Sequence, residues 1–405
     1  MGFDTIARTL VVALAGETSG TTTSSIPALP PDPHNAALLY YQGFLSLAKL
    51  DDEGRKLIVK VANRYADPDD SVRQPLRKCW RALELAEAAA DLSLCDWGYR
   101  FSQGIAMAQP QLMQMRSLAC ALVADARVRV ADGDCRGALE RCLTTAKLAR
   151  HLGNDTLVSY LVWIAACGLS YRCMVDVIGR ASDDASLLRW LKDELATPET
   201  PLTVVRPLQI ETRIWTELMQ IDRVETLADL MSEDEKPVPS VETFGDLLPR
   251  GEEAIRSRIL SEASEESLRE MRRAYCARVD AAIHILEASR PYQEAVTQLD
   301  QLCVAADEDD LNALIVCLSL PRIVRIYTLQ TRGQAQANAA RAGVEICLHR
   351  LETGALPETL PKGLPTDPFS GEDFEYERTA EGFTLRCRVE EFKDGKLHEY
   401  AFVLK

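Results

Sequence analysis

The sequence lacks the short motifs that mark common catalytic, nucleotide-binding and zinc sites. It contains no HExxH, GxSxG, GxxxxGK[ST] or GxGxxG pattern, and its twelve cysteines form no CxxC pair. Among the five scattered histidines, we single out His349, which lies at helical spacing from the carboxylate of Glu345. Such a pair is more often a solvated surface contact than a metal site. We therefore predict no catalytic residue, no cofactor-binding residue, no metal ligand and no cofactor.

Positive charge is also scarce. The chain has 61 acidic against 46 basic residues, a net charge of −15, so we expect no nucleic-acid partner, because binding phosphates requires a basic surface. No apolar run approaches the length of a membrane-spanning helix, and we expect no transmembrane segment. The 405 residues and 47% hydrophobic content instead fit a globular chain of two or three domains.

The cysteines are numerous but their spacing does not indicate metal binding. The nearest neighbours, Cys135/Cys142 and Cys167/Cys173, are seven and six residues apart, which is not zinc-ligand spacing. Several lie on apolar helix faces, where a free cysteine behaves as a small hydrophobic side chain. We expect core packing for most of them, with disulfides as the alternative.

Residues 110–153 predict two antiparallel helices joined by a tight turn. An apolar stripe spaced three and four apart runs through the first helix, and a second stripe follows in the next. Gly133 tolerates the left-handed geometry that ends a helix, and Asp134 is a good cap for the helix that follows. Two helices alone cannot bury both stripes, so further helices must stack on this pair.

Helical periodicity covers most of the remaining chain. We predict one helix that begins near Asn35. We predict further helices over residues 57–65, 71–94, 157–169, 188–195, 214–227, 268–286 and 332–351. Residues 157–169 are so apolar that this helix should be buried on more than one side. Residues 232–251, which are acidic and contain three prolines, predict an exposed loop. The acidic runs 262–270 and 307–310 predict solvated faces.

Strand spacing replaces helical spacing after Gly354. Apolar residues alternate over residues 383–389 and again over 398–404, and the Asp394-Gly395 pair between them predicts a two-residue hairpin. A small antiparallel sheet should therefore close the chain, and it should cover the apolar face of the helix at residues 332–351.

The N-terminal 33 residues predict a separate segment. Arg8 precedes a short apolar run that ends in an A-x-A triplet before Gly16, which resembles a secretory signal; the alternative is a short, loosely held helix. Residues 17–32 are rich in Thr, Ser and Pro and read as a linker. We expect an exported or periplasmic protein, with a cytoplasmic one as the alternative.

Two segments resemble known families. The pair centred on Gly133 resembles one tetratricopeptide-type repeat, although no steady 34-residue period follows, so we predict an irregular α-solenoid or bundle. Residues 354–360, 364–371 and 374–376 resemble the segment after the helix of type II secretion major pseudopilins. The C-terminal segment from residue 354 onward and the helix after Asn35 together resemble those of a family of uncharacterised exported bacterial proteins. The pseudopilin resemblance would allow Asp367 to be a calcium ligand, and capping of a turn is the alternative.

The expected fold is thus mainly α: a signal-like segment and linker at 1–33, a helical array at 34–331, and a helix with a small antiparallel sheet at 332–405. The expected function is that of a non-enzymatic scaffold or binding protein with an unidentified protein partner. The alternative is a hydrolase or lyase with carboxylates in a groove between helices.

Overall fold

The computed structural model describes residues 34–101, 107, 109–153, 155–196, 203–232, 253–288, 290–304 and 321–404. The chain divides into two units, Met1–Pro33 and His34–Lys405. The signal-like segment, the linker, the loop predicted at 232–251 (apart from Ser232) and the acidic run 307–310 lie outside the described residues.

The described part is mainly helical, as the sequence predicts. It contains fourteen α-helices: α1 (Ala36–Leu47), α2 (Asp52–Ala62), α3 (Asp70–Lys78), α4 (Trp80–Ala90), α5 (Gln111–Ala131), α6 (Cys135–His151), α7 (Leu157–Arg180), α8 (Ala185–Ala196), α9 (Val205–Leu218), α10 (Val224–Ser232), α11 (Glu253–Glu262), α12 (Glu265–Glu287), α13 (Tyr292–Val304) and α14 (Pro321–Thr353). A 3₁₀ turn, Ile221–Arg223, precedes α10.

The α5–α6 pair forms as the sequence predicts. Gly133 has φ +86°, and the side chain of Asp134 accepts a hydrogen bond of 2.8 Å from the Gly137 amide at the start of α6. Residues 118–124 of α5 are all buried. The helix is therefore surrounded by its neighbours, and α1, α2, α6 and α7 all pack against it.

Helix α7 corrects the expectation that no apolar segment approaches the length of a membrane-spanning helix. It is 24 residues long with a mean hydropathy of 1.6 over its most apolar window, which is long and apolar enough to cross a membrane. No other helix in the described residues passes this test. More than half of that window, 61%, is buried inside the protein, since α7 packs on α5, α6 and α14. The predicted burial of this segment on more than one side is confirmed.

Several helix boundaries differ from the sequence prediction. The single helix expected over residues 214–227 is interrupted: α9 ends at Leu218, a 3₁₀ turn spans Ile221–Arg223, and α10 begins at Val224. The single helix expected over residues 71–94 is two helices, because the chain breaks at Cys79, where φ is −110° and ψ is 14°. The helix expected at residues 332–351 begins earlier, at Pro321, and extends to Thr353. Proline is well tolerated in the first turn of a helix, where no intrahelical partner is available for an amide.

The closing sheet has three antiparallel strands in the order β1 (Glu375–Thr379), β2 (Gly382–Arg386) and β3 (Glu399–Val403). The prediction of a two-residue hairpin at Asp394-Gly395 is wrong. The tight connection lies at residues 380–381, between β1 and β2, whereas residues 387–398 join β2 to β3. A local turn does occur there, with Gly395 at φ +59°.

The sheet packs on the helical array through two glycines. A Cβ atom on Gly179 of α7 would lie 2.5 Å from the carbonyl oxygen of Val403, and one on Gly343 of α14 would overlap the ring of Phe402. Phe402 is buried and stacks on Phe383, with ring centroids 4.6 Å apart. The outer edge of β3 therefore lies directly against α7.

Candidate functional site

A cleft of about 830 Å³ lies where the end of α2, the second half of α5, the second half of α7 and β3 meet. Its lining combines charged groups from α5, α7 and the residues after α2 with apolar side chains from α5 and from the end of the chain around β3. The lining residues are Arg64, Asp67, Pro68, Arg127, Val130, Ala131, Cys173, Asp176, Arg180, Ala401, Val403 and Leu404.

Arg64 enters the cleft because of how α2 ends. The residue has φ +66°, a left-handed conformation that is unusual and costly for a residue other than glycine. The amide of Tyr65 donates to the carbonyl of Lys60 at 2.8 Å, which closes the end of the helix. The Arg64 side chain then reaches α7, where Nη2 donates to Oδ2 of Asp176 and to the carbonyl of Arg172, each at 2.7 Å.

The other two guanidinium groups come from α5 and α7. Arg127 of α5 is half-buried and donates to the carbonyl of Val61, at the end of α2. Arg180 is the last residue of α7 and is exposed. Its side chain makes no hydrogen bond or ion pair with any residue that the structure describes. Two of the three arginines thus form no hydrogen bond or ion pair with a carboxylate within that part of the chain, although their charges act on Asp176.

The charges of the cleft contrast with those of the whole chain. Three arginines against two aspartates give the lining an excess of one positive charge, on a protein whose net charge is −15. Burial lowers the pKa of Arg172, beside the cleft, and the positive charge of Arg64 lowers it further. The cations here therefore repel one another, and an added anion would relieve that repulsion.

Asp176 is the carboxylate nearest to these cations. Burial raises its pKa, and the charges of Arg64, Arg127 and Arg180 act in the opposite direction. Its bond to Arg64 is an ion pair, and the Asp176 side chain is 38% exposed. A carboxylate held in this way balances part of the positive charge of the cleft.

One thiol, that of Cys173, lines the cleft. It contacts Cys142 of α6, and the hydrogen bond between the two thiols, together with burial, raises the pKa of Cys142. Both side chains are buried. All ten cysteines whose side chains the structure describes are free thiols, and seven of them are buried, as expected for core packing.

The residues singled out from the sequence lie elsewhere. Asp367 is fully buried and caps its own turn by accepting hydrogen bonds from the Phe369 amide (3.0 Å) and the Ser370 hydroxyl (2.8 Å). It also accepts a bond from the Arg388 amide (2.9 Å), in the segment after β2. Across the described ranges, no three His, Cys, Asp or Glu residues are grouped so as to hold a metal ion.

Glu345 does not pair with His349. Its carboxylate forms an ion pair with Lys192 of α8, at 2.8 Å. The acidic run that the structure does describe, residues 262–270, has its glutamates exposed. These sequence candidates are therefore separate from the cleft.

Two other polar clusters have structural roles. His151 Nε2 donates to the Leu92 carbonyl at 2.9 Å, so Nδ1 accepts from the Tyr40 hydroxyl at 2.8 Å. Glu391, whose side chain is fully buried, accepts bonds from Arg332 and His398, each at 2.6 Å. The first joins α1 to α6, and the second ties the loop after β2 to α14.

Comparison of the chain with protein-family models, with curated proteins and with solved structures gives no match. The arginine cleft was not predicted from the sequence. Its three arginines stand 63 and 53 residues apart along the chain, on helices whose crossing the periodicity does not specify. The available signal was weak: Arg180 ends a strongly apolar helix, but the spacing does not set Arg64 or Arg127 apart from the other arginines of the chain.

Proposed function

We propose that this protein is a helical binding protein whose cleft holds an anionic group of its ligand, a carboxylate or a phosphate. The observation that carries this proposal is the convergence of Arg64, Arg127 and Arg180 on one cleft. Guanidinium groups bind planar and tetrahedral oxyanions through charge-assisted hydrogen bonds. Arg180 supports the proposal most strongly, because its donors have no partner in the described part of the chain.

The size of the cleft supports a small ligand or the end of a larger one. A volume of about 830 Å³ lies within the range of small-molecule sites, roughly 300–1,000 Å³. The apolar surface of Val130, Val403 and Leu404 would contact the uncharged part of the ligand. The positive charge is local on an acidic protein, which favours a single anionic group over a nucleic acid.

A binding role is favoured over the alternative of a hydrolase or lyase. Acid–base chemistry by two carboxylates requires both to be free to exchange protons with a substrate. In the cleft, Asp176 is bonded to Arg64, and Asp67 is exposed at the rim. The single thiol on the lining, Cys173, has no histidine beside it on the lining to activate it.

The test is isothermal titration of the full chain with inorganic phosphate and with citrate, for the wild type and for Arg180→Gln. Loss of a charge-assisted hydrogen bond should weaken binding of the better of the two probes by about tenfold or more. Because Arg180 is exposed and without a partner in the described residues, the melting temperature should not change.

Arg213→Gln is the matched control, since Arg213 is an exposed arginine of α9 that does not line the cleft. It removes the same charge and should bind like the wild type. Equal weakening in both variants would mean that only net charge matters. Absence of binding in the wild type would contradict the proposal.

A further inference from the structure

Asp176 occupies the position on Arg64 that an oxyanion would take. The carboxylate lies on α7 with Arg172 and Arg180 one turn away on either side, and it accepts a 2.7 Å bond from Arg64 Nη2. A ligand carboxylate or phosphate entering the cleft would seek the same donors, because a guanidinium presents its N–H groups in one planar fork. The ligand and Asp176 therefore compete for one cation.

The surroundings of Asp176 are almost wholly cationic. Arg64 faces it from the end of α2, Arg127 from α5 and Arg180 from α7 itself. The strand β3 contributes no charged group to the lining, and no histidine lines the cleft. The other titratable or charged groups nearby on the elements packed around it are Arg172 and Cys173 of α7, Cys142 of α6, Cys120 of α5, Arg332 of α14, and Tyr65 and Asp67 after α2.

We propose that Asp176 is an internal competitor that sets the affinity of the cleft for oxyanions and makes it depend on pH. When an anion binds, it displaces the carboxylate from Arg64. When Asp176 is protonated, the cleft loses one negative charge, and Arg64 no longer faces a carboxylate anion although it keeps its bond to the Arg172 carbonyl. This inference rests on the proposed function and adds its regulation.

The direction of the pH dependence follows from the sign of the charge. Burial raises the pKa of Asp176 above the ordinary value of 3.8, so protonation begins at a higher pH than for an exposed aspartate. As the pH falls toward that pKa, a repelling negative charge is lost and anions should bind more tightly. By linkage, a bound anion must in turn raise the pKa of Asp176.

The experiment uses sulfate, whose own charge does not change over the acidic to neutral range. Its affinity for the full chain is measured by titration calorimetry from neutral pH down to the lowest pH at which the chain stays folded. For the wild type we expect affinity to increase as the pH falls. For Asp176→Asn we expect sulfate to bind roughly fivefold to tenfold more tightly than to the wild type at the upper end of the range, with little further change on acidification.

Asp155→Asn is the matched control. Asp155 forms an ion pair with Arg206 at 3.0 Å, away from the cleft lining. This variant should keep the sulfate affinity and the pH dependence of the wild type. If Asp176→Asn does not fold, Asp176→Ala, which removes the same negative charge, is measured in its place and judged by the same outcomes.

The two proposals fail in different ways. Sulfate affinity that is independent of pH in the wild type, or equal in the wild type and Asp176→Asn, overturns the role of Asp176 and leaves the anion site standing. Absence of sulfate binding in all variants at every pH overturns both.

Discussion

At the scale of single residues, the most consequential polar group outside the cleft is Glu391. Burial alone would raise its pKa, but the hydrogen bonds from His398 and Arg332 outweigh burial and lower the pKa to about 2. Both oxygens of the carboxylate bond to Arg332, at 2.6 and 2.7 Å, in a two-bond fork. Glu391 thus fastens the loop after β2 to the long helix α14.

This pKa implies a stability that depends on pH. The folded-state pKa lies below the ordinary value of 4.5, so the stabilisation is fully present above about pH 4.5 and is lost as the pH falls toward 2. The shift corresponds to roughly 3 kcal/mol. Glu391→Gln should therefore unfold at lower urea concentration than the wild type near neutral pH, and the difference should shrink on acidification.

Glu399→Gln serves as the control for this prediction. Glu399 pairs with Arg386 at the surface, where its side chain is 49% exposed, and such pairs contribute about 0–1 kcal/mol. A loss of stability in Glu391→Gln no larger than that of Glu399→Gln would refute the assignment.

At the scale of elements, the contact between α7 and β3 decides where the cleft can form. Gly179 lets the strand approach so closely that a Cβ atom would lie 2.5 Å from the carbonyl oxygen and 3.1 Å from the amide nitrogen of Val403. Both neighbours are backbone atoms, which cannot move aside as a side chain can. The strand lies next to Arg180 because this glycine admits it.

Gly179→Ala should push β3 away from α7. We expect a loss of about 1–3 kcal/mol of stability, as for other overpacked sites, read from urea unfolding. Gly333→Ala is the control, because Gly333 lies in α14 with no atom within 4 Å of its would-be Cβ. There, alanine should stabilise the helix by up to roughly 1 kcal/mol. Equal changes in the free energy of unfolding for the two substitutions would show that the close approach of β3 to Gly179 does not affect stability.

The elements also show what the sequence could predict. The α5–α6 turn was predictable because Gly133 and Asp134 act locally, through a left-handed φ and a cap. The break at Cys79 was not, since the apolar spacing continues through it. The hairpin signal at Asp394-Gly395 was misleading because its turn closes within residues 391–396.

At the scale of the whole molecule, the fold class was predictable and the site was not. The hydrophobic periodicity of the sequence indicates which face of a helix or strand is buried. It therefore predicted a helical array closed by a small sheet. It does not record which elements meet, and the cleft depends on the packing of α5 and β3 against α7 and of α2 against α5. Tetratricopeptide-like and pseudopilin-like relationships, and export, stay predictions.

The central claim is that Arg64, Arg127 and Arg180 together hold an oxyanion. The most direct measurement is a crystal structure of the full chain grown with selenate, an anomalously scattering analogue of sulfate. The claim predicts an anomalous peak in the cleft within hydrogen-bonding distance of at least two of the three guanidinium groups, and its absence in crystals of Arg180→Gln. Selenate bound only elsewhere on the protein, with the cleft filled by water, would contradict it.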